Sequence, residues 1–176
     1  TESKYARTLK RYKKGEIKIA LDRIEACIKL DPKNEYFYEL KGQMQFESAD
    51  FVGATNSFLK ALELNKNEKY FHYSLGKSLY HSNNKKKVLE SIEYFEYYKK
   101  MSDFPVDALH YLALSHAKVG NFLFSSISLT EKFLLLNDLK NAKLHLKNAK
   151  RFEIDDKVTR SLIDDLDFLI KKKEKL

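Results

Sequence analysis

The sequence predicts an all-α protein made of about ten antiparallel helices. Residues 35–64 indicate two amphipathic helices joined by a short turn. Within them Ala54, Phe58 and Ala61 follow a small–large–small pattern at i, i+4 and i+7, and Gly42 lets a neighbouring helix approach its backbone. The spacing from Gly42 to these three residues is that of a tetratricopeptide repeat of about 34 residues. We therefore predict a tetratricopeptide-repeat α-solenoid wound into a right-handed superhelix.

The first repeat is expected over residues 1–34 and the second over 35–68. In the first repeat, a helix ends at Gly15 and the next ends before Pro32, because the residue before proline avoids helical backbone angles. The two repeats share one register, since each patterned position of the first recurs 34 residues later in the second. The matched positions are 20, 24, 27 and 32 with 54, 58, 61 and 66. This repeated offset, more than helical periodicity alone, sets the boundaries.

The third repeat, over 69–104, keeps the register at first and then departs from it. Leu75 and Gly76 fall 34 residues after Lys41 and Gly42. The small–large–small pattern then recurs three residues late, at Ser91, Phe95 and Tyr98. We place the three extra residues in the polar turn 81–87, HSNNKKK.

The C-terminal part of the chain contains two overlapping repeats and a cap. Pro105 opens a fourth repeat over 105–136, whose second helix also begins a fifth repeat over 122–152. A last helix, over 155–173, has one apolar and one charged face, as expected of a helix that covers the end of a repeat stack. We predict a single domain over residues 1–176.

Composition restricts the classes of function. Hydrophobic residues make up 43% and charged residues 33%, and no apolar run approaches the length that a transmembrane helix requires, so we predict no transmembrane segment. The net charge is +8, mostly from lysine. We interpret it as a compositional bias spread over solvated helix faces, and we predict no nucleic-acid partner. A nucleic-acid-binding helical array is the alternative, and it predicts a steep loss of affinity with salt.

No catalytic or metal-binding residues are predicted in this chain, so we do not expect it to be an enzyme. The five histidines, at 72, 81, 110, 116 and 145, are not followed by glutamate, so the chain lacks the His-Glu-x-x-His motif of zinc peptidases. Ser115 and His116 are adjacent, and neighbouring helical side chains point about 100° apart. They therefore cannot pair as nucleophile and base. No cofactor is predicted.

The candidate site is the concave face that the first helix of each repeat lines. The predicted side chains form an aromatic and polar series suited to stacking on an extended peptide and bonding its backbone. The alternative is that individual tyrosines pack between helices. The partner-binding residues predicted in this way are Tyr36, Glu39, Gln43 and Phe46 in the second repeat, Tyr70, Tyr73, Lys77 and Tyr80 in the third, and His110, Tyr111 and Leu114 in the fourth.

Two stretches resemble a known family. The first holds Tyr5-Ala6-Arg7, the Tyr12–Gly15 turn, Pro32-Lys33-Asn34 and the segment 36–43, YFYELKGQ. The second is the helix pair around Glu131, Asp138 and Ala142. Together they resemble the C-terminal repeat domain of BepA-like bacterial zinc metallopeptidases, of the HtpX/CAAX-protease type. The resemblance spans nearly the whole chain, although several alanine positions carry serine or cysteine and a family tryptophan is absent.

The resemblance implies a substrate-handling or partner-binding domain of a larger enzyme. In that family a zinc peptidase domain precedes the repeats, so zinc is expected only there. The implied partners are the protein's own peptidase domain and outer-membrane proteins or their assembly machinery, in periplasmic protein quality control. Because the chain starts without methionine, we interpret it as part of a longer protein. The alternative is a free-standing scaffold or adaptor without an enzyme domain, which would be cytoplasmic.

Overall fold

The computed structural model describes residues 3–175 and contains ten α-helices and no strands within that range. Residues 1, 2 and 176, at the ends of the predicted domain, lie outside it. The helices are α1 (Lys4–Lys13), α2 (Ile17–Leu30), α3 (Glu35–Glu47), α4 (Phe51–Leu64), α5 (Lys69–His81), α6 (Lys85–Met101), α7 (Val106–Lys118), α8 (Phe122–Leu135), α9 (Leu139–Ala149) and α10 (Lys157–Lys173).

The same three-residue turn joins four of the helix pairs. In each turn the middle residue has a positive φ: 75° at Gly15, 61° at Ala49, 89° at Gly120 and 57° at Asn137. The residue after it donates its backbone N–H to a carbonyl five positions back, as Asp50 does to Gln45 at 2.9 Å, which is the Schellman pattern. The left-handed residue thus satisfies the last carbonyls of one helix and reverses the chain into the next.

Side-chain caps start most of these helices. Eight of the ten described helices have a polar side chain at the N-cap that accepts a hydrogen bond from a backbone N–H of the first turn. Asp50, for example, accepts from the N–H of Gly53 at 2.8 Å and starts α4. Such caps are worth about 1 kcal/mol each and explain why helix starts can be located in the sequence.

The chain divides into two compact units, of which the first, residues 3–83, contains α1 to α5. In this unit α3 and α4 approach each other closely at Gly42. Gly42 is buried, and a Cβ at this position would lie 2.8 Å from Cε1 of Phe58. Ala54 and Ala61, on either side of Phe58 along α4, are fully buried. The predicted small–large–small packing is confirmed here.

The second unit, residues 84–175, contains α6 to α10, and α6 corrects one sequence-based prediction. The three extra residues of the third repeat do not lengthen the turn 81–87, because α6 already begins at Lys85. Asn84 caps that start by accepting from the backbone N–H groups of Lys86 and Lys87. The insertion therefore extends α6 by about one turn at its N-terminus, and 17 residues form this helix where 14 form α4.

The last helix, α10, packs against α8 and α9, as the prediction of a C-terminal cap requires. Ile163, Leu166 and Ile170 are buried in a cluster with Leu134 and Leu146. Part of the predicted apolar face nevertheless remains exposed, since 81% of the surface of Val158 is accessible. Whether the two compact units act as the single predicted domain stays a prediction.

Candidate partner-binding groove

A groove between α3 and α5 brings together part of the predicted concave face in the first unit. On α3, Glu39, Gln43 and Phe46 lie at i, i+4 and i+7, a spacing that places them on one side of a helix. The residues that α5 contributes have the same spacing. The space they enclose, which we call the α3–α5 groove, measures about 380 Å³ and is lined by Glu39, Gln43, Phe46, Glu47, Phe58, Tyr70, Ser74 and Lys77.

One end of the groove is aromatic and cationic. The ring of Phe46 packs edge-to-face against Phe51, at 5.4 Å between centroids, and against His81, also at 5.4 Å. The ammonium of Lys77 lies 5.2 Å from the centre of the Phe46 ring and 4.8 Å from that of Tyr73. This cation–π arrangement fixes a positive charge beside an apolar ring inside the groove.

The α3 wall of the groove carries two carboxylates. Burial raises the pKa of Glu39, the negative charge of Glu68 raises it further, and Lys77 opposes both effects. Glu47 accepts a hydrogen bond of 2.5 Å from the hydroxyl of Tyr12 on α1 and a longer one, 3.4 Å, from the amide of Gln43. Burial and this bond to Glu47 raise the pKa of Tyr12. The half-buried Glu39 carboxylate would therefore gain from an N–H donor or a cation placed in the groove.

The remaining predicted aromatic residues of the first unit lie outside the groove lining. Tyr36 is 51% exposed, and its ring meets Phe71 edge-on at 5.9 Å. Tyr73 lies beneath the ammonium of Lys77. Tyr80 packs edge-on against His81 at 5.1 Å. Their role in binding stays a prediction.

The predicted residues of the fourth repeat belong to the second unit. His110 is exposed, and its Nδ1 lies 3.3 Å from the ammonium of Lys132. Burial and the charge of Lys132 lower the pKa of His110. Tyr111 stacks on the buried ring of Phe95 at 5.2 Å, so packing between α6 and α7 accounts for its position, while Leu114 is half-buried.

The sequence did not identify three of the residues that line the groove: Glu47, Phe58 and Ser74. Ser74 carries a detectable signal, because it stands four residues after Tyr70 and three before Lys77, on the same helix face. Phe58 was predicted as a core residue, and with 2% of its surface accessible it is one. It also forms the floor of the groove, which helical spacing cannot reveal.

Metal-binding groups and membrane-spanning helices were both sought among residues 3–175. The described side chains include no group of three or more His, Cys, Asp or Glu residues placed to hold a metal ion. Over the same range, no helix combines the length and the apolar character needed to cross a membrane.

The fold of the chain is similar to that of known structures. The crystal structure of MamA superimposes with a TM-score of 0.69 and 16% identity, covering 94% of this chain and 93% of MamA. A second MamA structure gives the same TM-score and identity. The fold is that of the tetratricopeptide repeat. Together with the 34-residue offset between helix pairs, the likeness bears out the all-α repeat architecture expected from the sequence.

A more distant likeness points to the same fold. The crystal structure of PilW, a widely conserved type IV pilus biogenesis factor, aligns over 97% of this chain and 89% of its own, with a TM-score of 0.52 and 19% identity. No protein-family model and no curated protein matches the chain. At these identities the comparisons show the fold, and they do not extend to the expected metallopeptidase parentage.

Proposed function

We propose that this chain is a non-catalytic protein-interaction module that binds an extended polypeptide segment through the α3–α5 groove. The observation that carries the proposal is the convergence of Glu39, Gln43, Tyr70 and Lys77, four of the predicted site residues, on one groove of about 380 Å³. This volume lies within the range of small binding pockets and accommodates one or two residues of a peptide.

The chemistry of the lining favours a peptide over other ligands. Gln43 offers both a donor and an acceptor, which is what a peptide backbone requires. Phe46 and the edge of Phe58 offer an apolar surface for one side chain of the ligand. Glu39 and Lys77 provide one charge of each sign, so they favour a segment that carries complementary charges or polar termini.

On the finer question of parentage, we propose that the module is the partner-binding part of a BepA-like zinc metallopeptidase. The support is the resemblance of residues 5–43 and of the helix pair around Asp138 to that family. On this proposal zinc belongs to a peptidase domain outside this chain, the protein is periplasmic or envelope-associated, and its partners are that domain and outer-membrane proteins or their assembly machinery.

The second candidate is a free-standing scaffold or adaptor without an enzyme. The likeness to PilW, a pilus biogenesis factor, favours it. The reading frame upstream of Thr1 separates the two candidates. A helix with His-Glu-x-x-His about 150–250 residues before this chain supports the peptidase parent, and a frame without it leaves the adaptor.

The groove itself is tested by selecting peptide ligands. We would select binders from a phage-displayed library of random peptides and measure their affinities by fluorescence polarisation. Gln43→Ala and Tyr70→Ala are each expected to weaken binding about tenfold, because each removes one contact to the peptide. Circular dichroism would check that both variants keep their helices.

Matched controls keep this test specific. Tyr38→Ala makes the same change on α3 outside the groove lining, where the Tyr38 hydroxyl donates to the carbonyl of Pro32. A third groove variant, Lys77→Ala, removes the cation of the lining and is also expected to weaken binding. Lys60→Ala is its control, since Lys60 is an exposed residue paired with Glu63. Peptides whose affinity falls as much in the controls as in the groove variants would contradict the proposal.

A further inference from the structure

A second pocket, unrelated to the α3–α5 groove, lies between α1 and α2 and is lined entirely by basic side chains. It measures about 280 Å³. The residues around it, which we call the five-cation pocket, are Arg7, Lys10, Arg11, Lys14 and Arg23. An adjoining concavity shares Arg7 and Arg23 and adds Lys4.

The geometry of α1 explains how these charges meet. Arg7, Lys10, Arg11 and Lys14 occupy positions i, i+3, i+4 and i+7, which form one face of a helix. The opposite face of α1 is held by the core, with Thr8 buried and the ring of Tyr5 packed 5.3 Å from that of Phe37. Like charges at these spacings repel each other, so the cationic face weakens α1 unless an anion compensates it.

A general lysine bias does not account for the pocket. The chain has 33 basic residues but only five arginines, and three of those five line this one pocket. Residues 1–30 contain nine basic and four acidic residues, and so carry five of the eight net positive charges. A lysine bias spread over helix faces therefore does not describe the whole distribution, because five of the eight net charges lie within residues 1–30.

Internal interactions explain only part of the cluster. Arg11 pairs with Glu16 at 2.5 Å, and Lys10 and Arg11 stand in the last turn of α1, where cations complement the helix dipole. Neither reason applies to Arg7, in the first half of α1, or to Arg23, midway along α2. These two guanidinium groups reach the pocket from different helices.

We propose that the five-cation pocket binds a phosphate group that carries two negative charges, as in a phosphate monoester. Arginine forms paired hydrogen bonds to phosphate oxygens in a geometry that lysine cannot offer, and three arginines converge here. The cations surround one compact space, which suits a single multiply charged group. A single-stranded nucleic acid would instead be bound along a strip of positive charge with stacking aromatic side chains.

Two sources could present this chemistry: a soluble phosphate compound, or the headgroup of phosphatidic acid at a membrane surface. The first experiment titrates inorganic phosphate into the chain by calorimetry in phosphate-free buffer, and it follows the backbone amides of α1 and α2 by NMR. We expect saturable binding, weakened about tenfold or more by Arg7→Gln combined with Arg23→Gln. Arg7→Lys combined with Arg23→Lys keeps the charge and should restore only part of the affinity.

The matched control is Arg151→Gln, which removes one guanidinium from an exposed position after α9. Phosphate affinity should stay within about twofold of wild type in this variant. Circular dichroism and the NMR spectrum would check that each variant is folded. Absence of saturable phosphate binding to the folded wild type, or equal loss in Arg151→Gln, would overturn the proposal.

Binding to lipid vesicles distinguishes a soluble phosphate compound from the headgroup of phosphatidic acid. Stronger binding to vesicles with phosphatidic acid than to vesicles of equal charge with phosphatidylserine, abolished by the double glutamine variant, assigns the site to a lipid headgroup. Phosphate binding without vesicle binding assigns it to a soluble compound. If an oligonucleotide binds far more tightly than phosphate, and its affinity falls with a salt slope of several charges, the pocket belongs to an extended polyanion surface and the proposal fails.

Discussion

The close contact between α3 and α4 in the first unit allows a quantitative test at Gly42. A Cβ added there would lie 2.8, 2.9 and 3.0 Å from Cε1, Cδ1 and Cζ of Phe58, whereas carbon atoms in favourable contact are about 3.5–4.0 Å apart. The Phe58 ring cannot move aside easily, because it is buried between α3 and α4 with Ala54 and Ala61 beside it. Any side chain at residue 42 must therefore displace the Phe58 ring or push the two helices apart.

Two opposing effects set the magnitude. Replacing glycine by alanine inside a helix stabilises it by about 0.5–1 kcal/mol, while overpacking a buried contact costs about 1–3 kcal/mol. The difference between the two effects predicts that Gly42→Ala lowers the free energy of unfolding by about 1 kcal/mol, while Gly42→Leu, which introduces a much larger side chain, should lower it by about 2–4 kcal/mol. In a Phe58→Leu background the ring is gone, so Gly42→Ala should become neutral or stabilising.

Urea unfolding followed by circular dichroism measures these differences, and the double-mutant cycle isolates the contact between the two residues. The Phe58→Leu background is the decisive control, because helix propensity acts in both backgrounds and the clash in only one. The close approach of α3 and α4 would be refuted if Gly42→Ala left the free energy of unfolding unchanged both in the wild type and in the Phe58→Leu background.

Two other predictions concern the turns and the histidines. Ala49 adopts a φ of 61°, which is strained for alanine, so Ala49→Gly should raise the free energy of unfolding by about 1 kcal/mol. Gly120 has a φ of 89°, so Gly120→Ala should lower the free energy of unfolding by a similar amount. Urea unfolding measures both changes. Burial and then Lys132 lower the pKa of His110 and of His145, so Lys132→Gln should raise both pKa values in an NMR titration, though not fully to the ordinary 6.5.

The sign of the histidine effect on stability follows from those directions. A lowered pKa means that the folded state binds protons less readily than the unfolded state, so the free energy of unfolding falls as pH drops below 6.5, and Lys132→Gln should reduce that fall. His116 is the internal control, because its pKa is lowered by burial and by Lys99. A shift of His116 as large as those of His110 and His145 would contradict a local effect of Lys132. A free energy of unfolding that rises on Gly120→Ala would contradict the prediction for the turns.

The sequence located most helices because their ends carry explicit signals. Gly15 marks a left-handed turn position and Pro32 excludes helical angles before it, so the predicted ends of α1 and α2 lie within two residues of the observed ones. The predicted last helix, over 155–173, likewise starts within two residues of α10. The prediction failed at 85–87, where three lysines suggested a solvated loop. Lysine has a good helix propensity, and the cap at Asn84 starts α6 at Lys85, the first of the three lysines.

The candidate site was only partly accessible from the sequence. Periodicity within one helix finds Gln43 and Lys77, since each stands at a predictable place on its helix face. It cannot find Phe58, which enters the groove from a third helix, or the meeting of Arg7 with Arg23 across two helices. A net charge summed over the whole chain also conceals how unevenly the arginines are distributed.

Phe58 has two structural roles. Its ring packs against Gly42, and the same ring forms the floor of the groove. The depth of the groove therefore depends on residue 42, which packs against Phe58 and is not itself part of the groove lining. Relatives that differ at residue 42 would present a shallower or deeper groove with an unchanged lining, and their ligand preferences would diverge without any substitution in the site. For the same reason, binding of a peptide that contacts Phe58 should depend on the spacing of α3 and α4. Such binding should protect the buried backbone amides of both helices from hydrogen exchange.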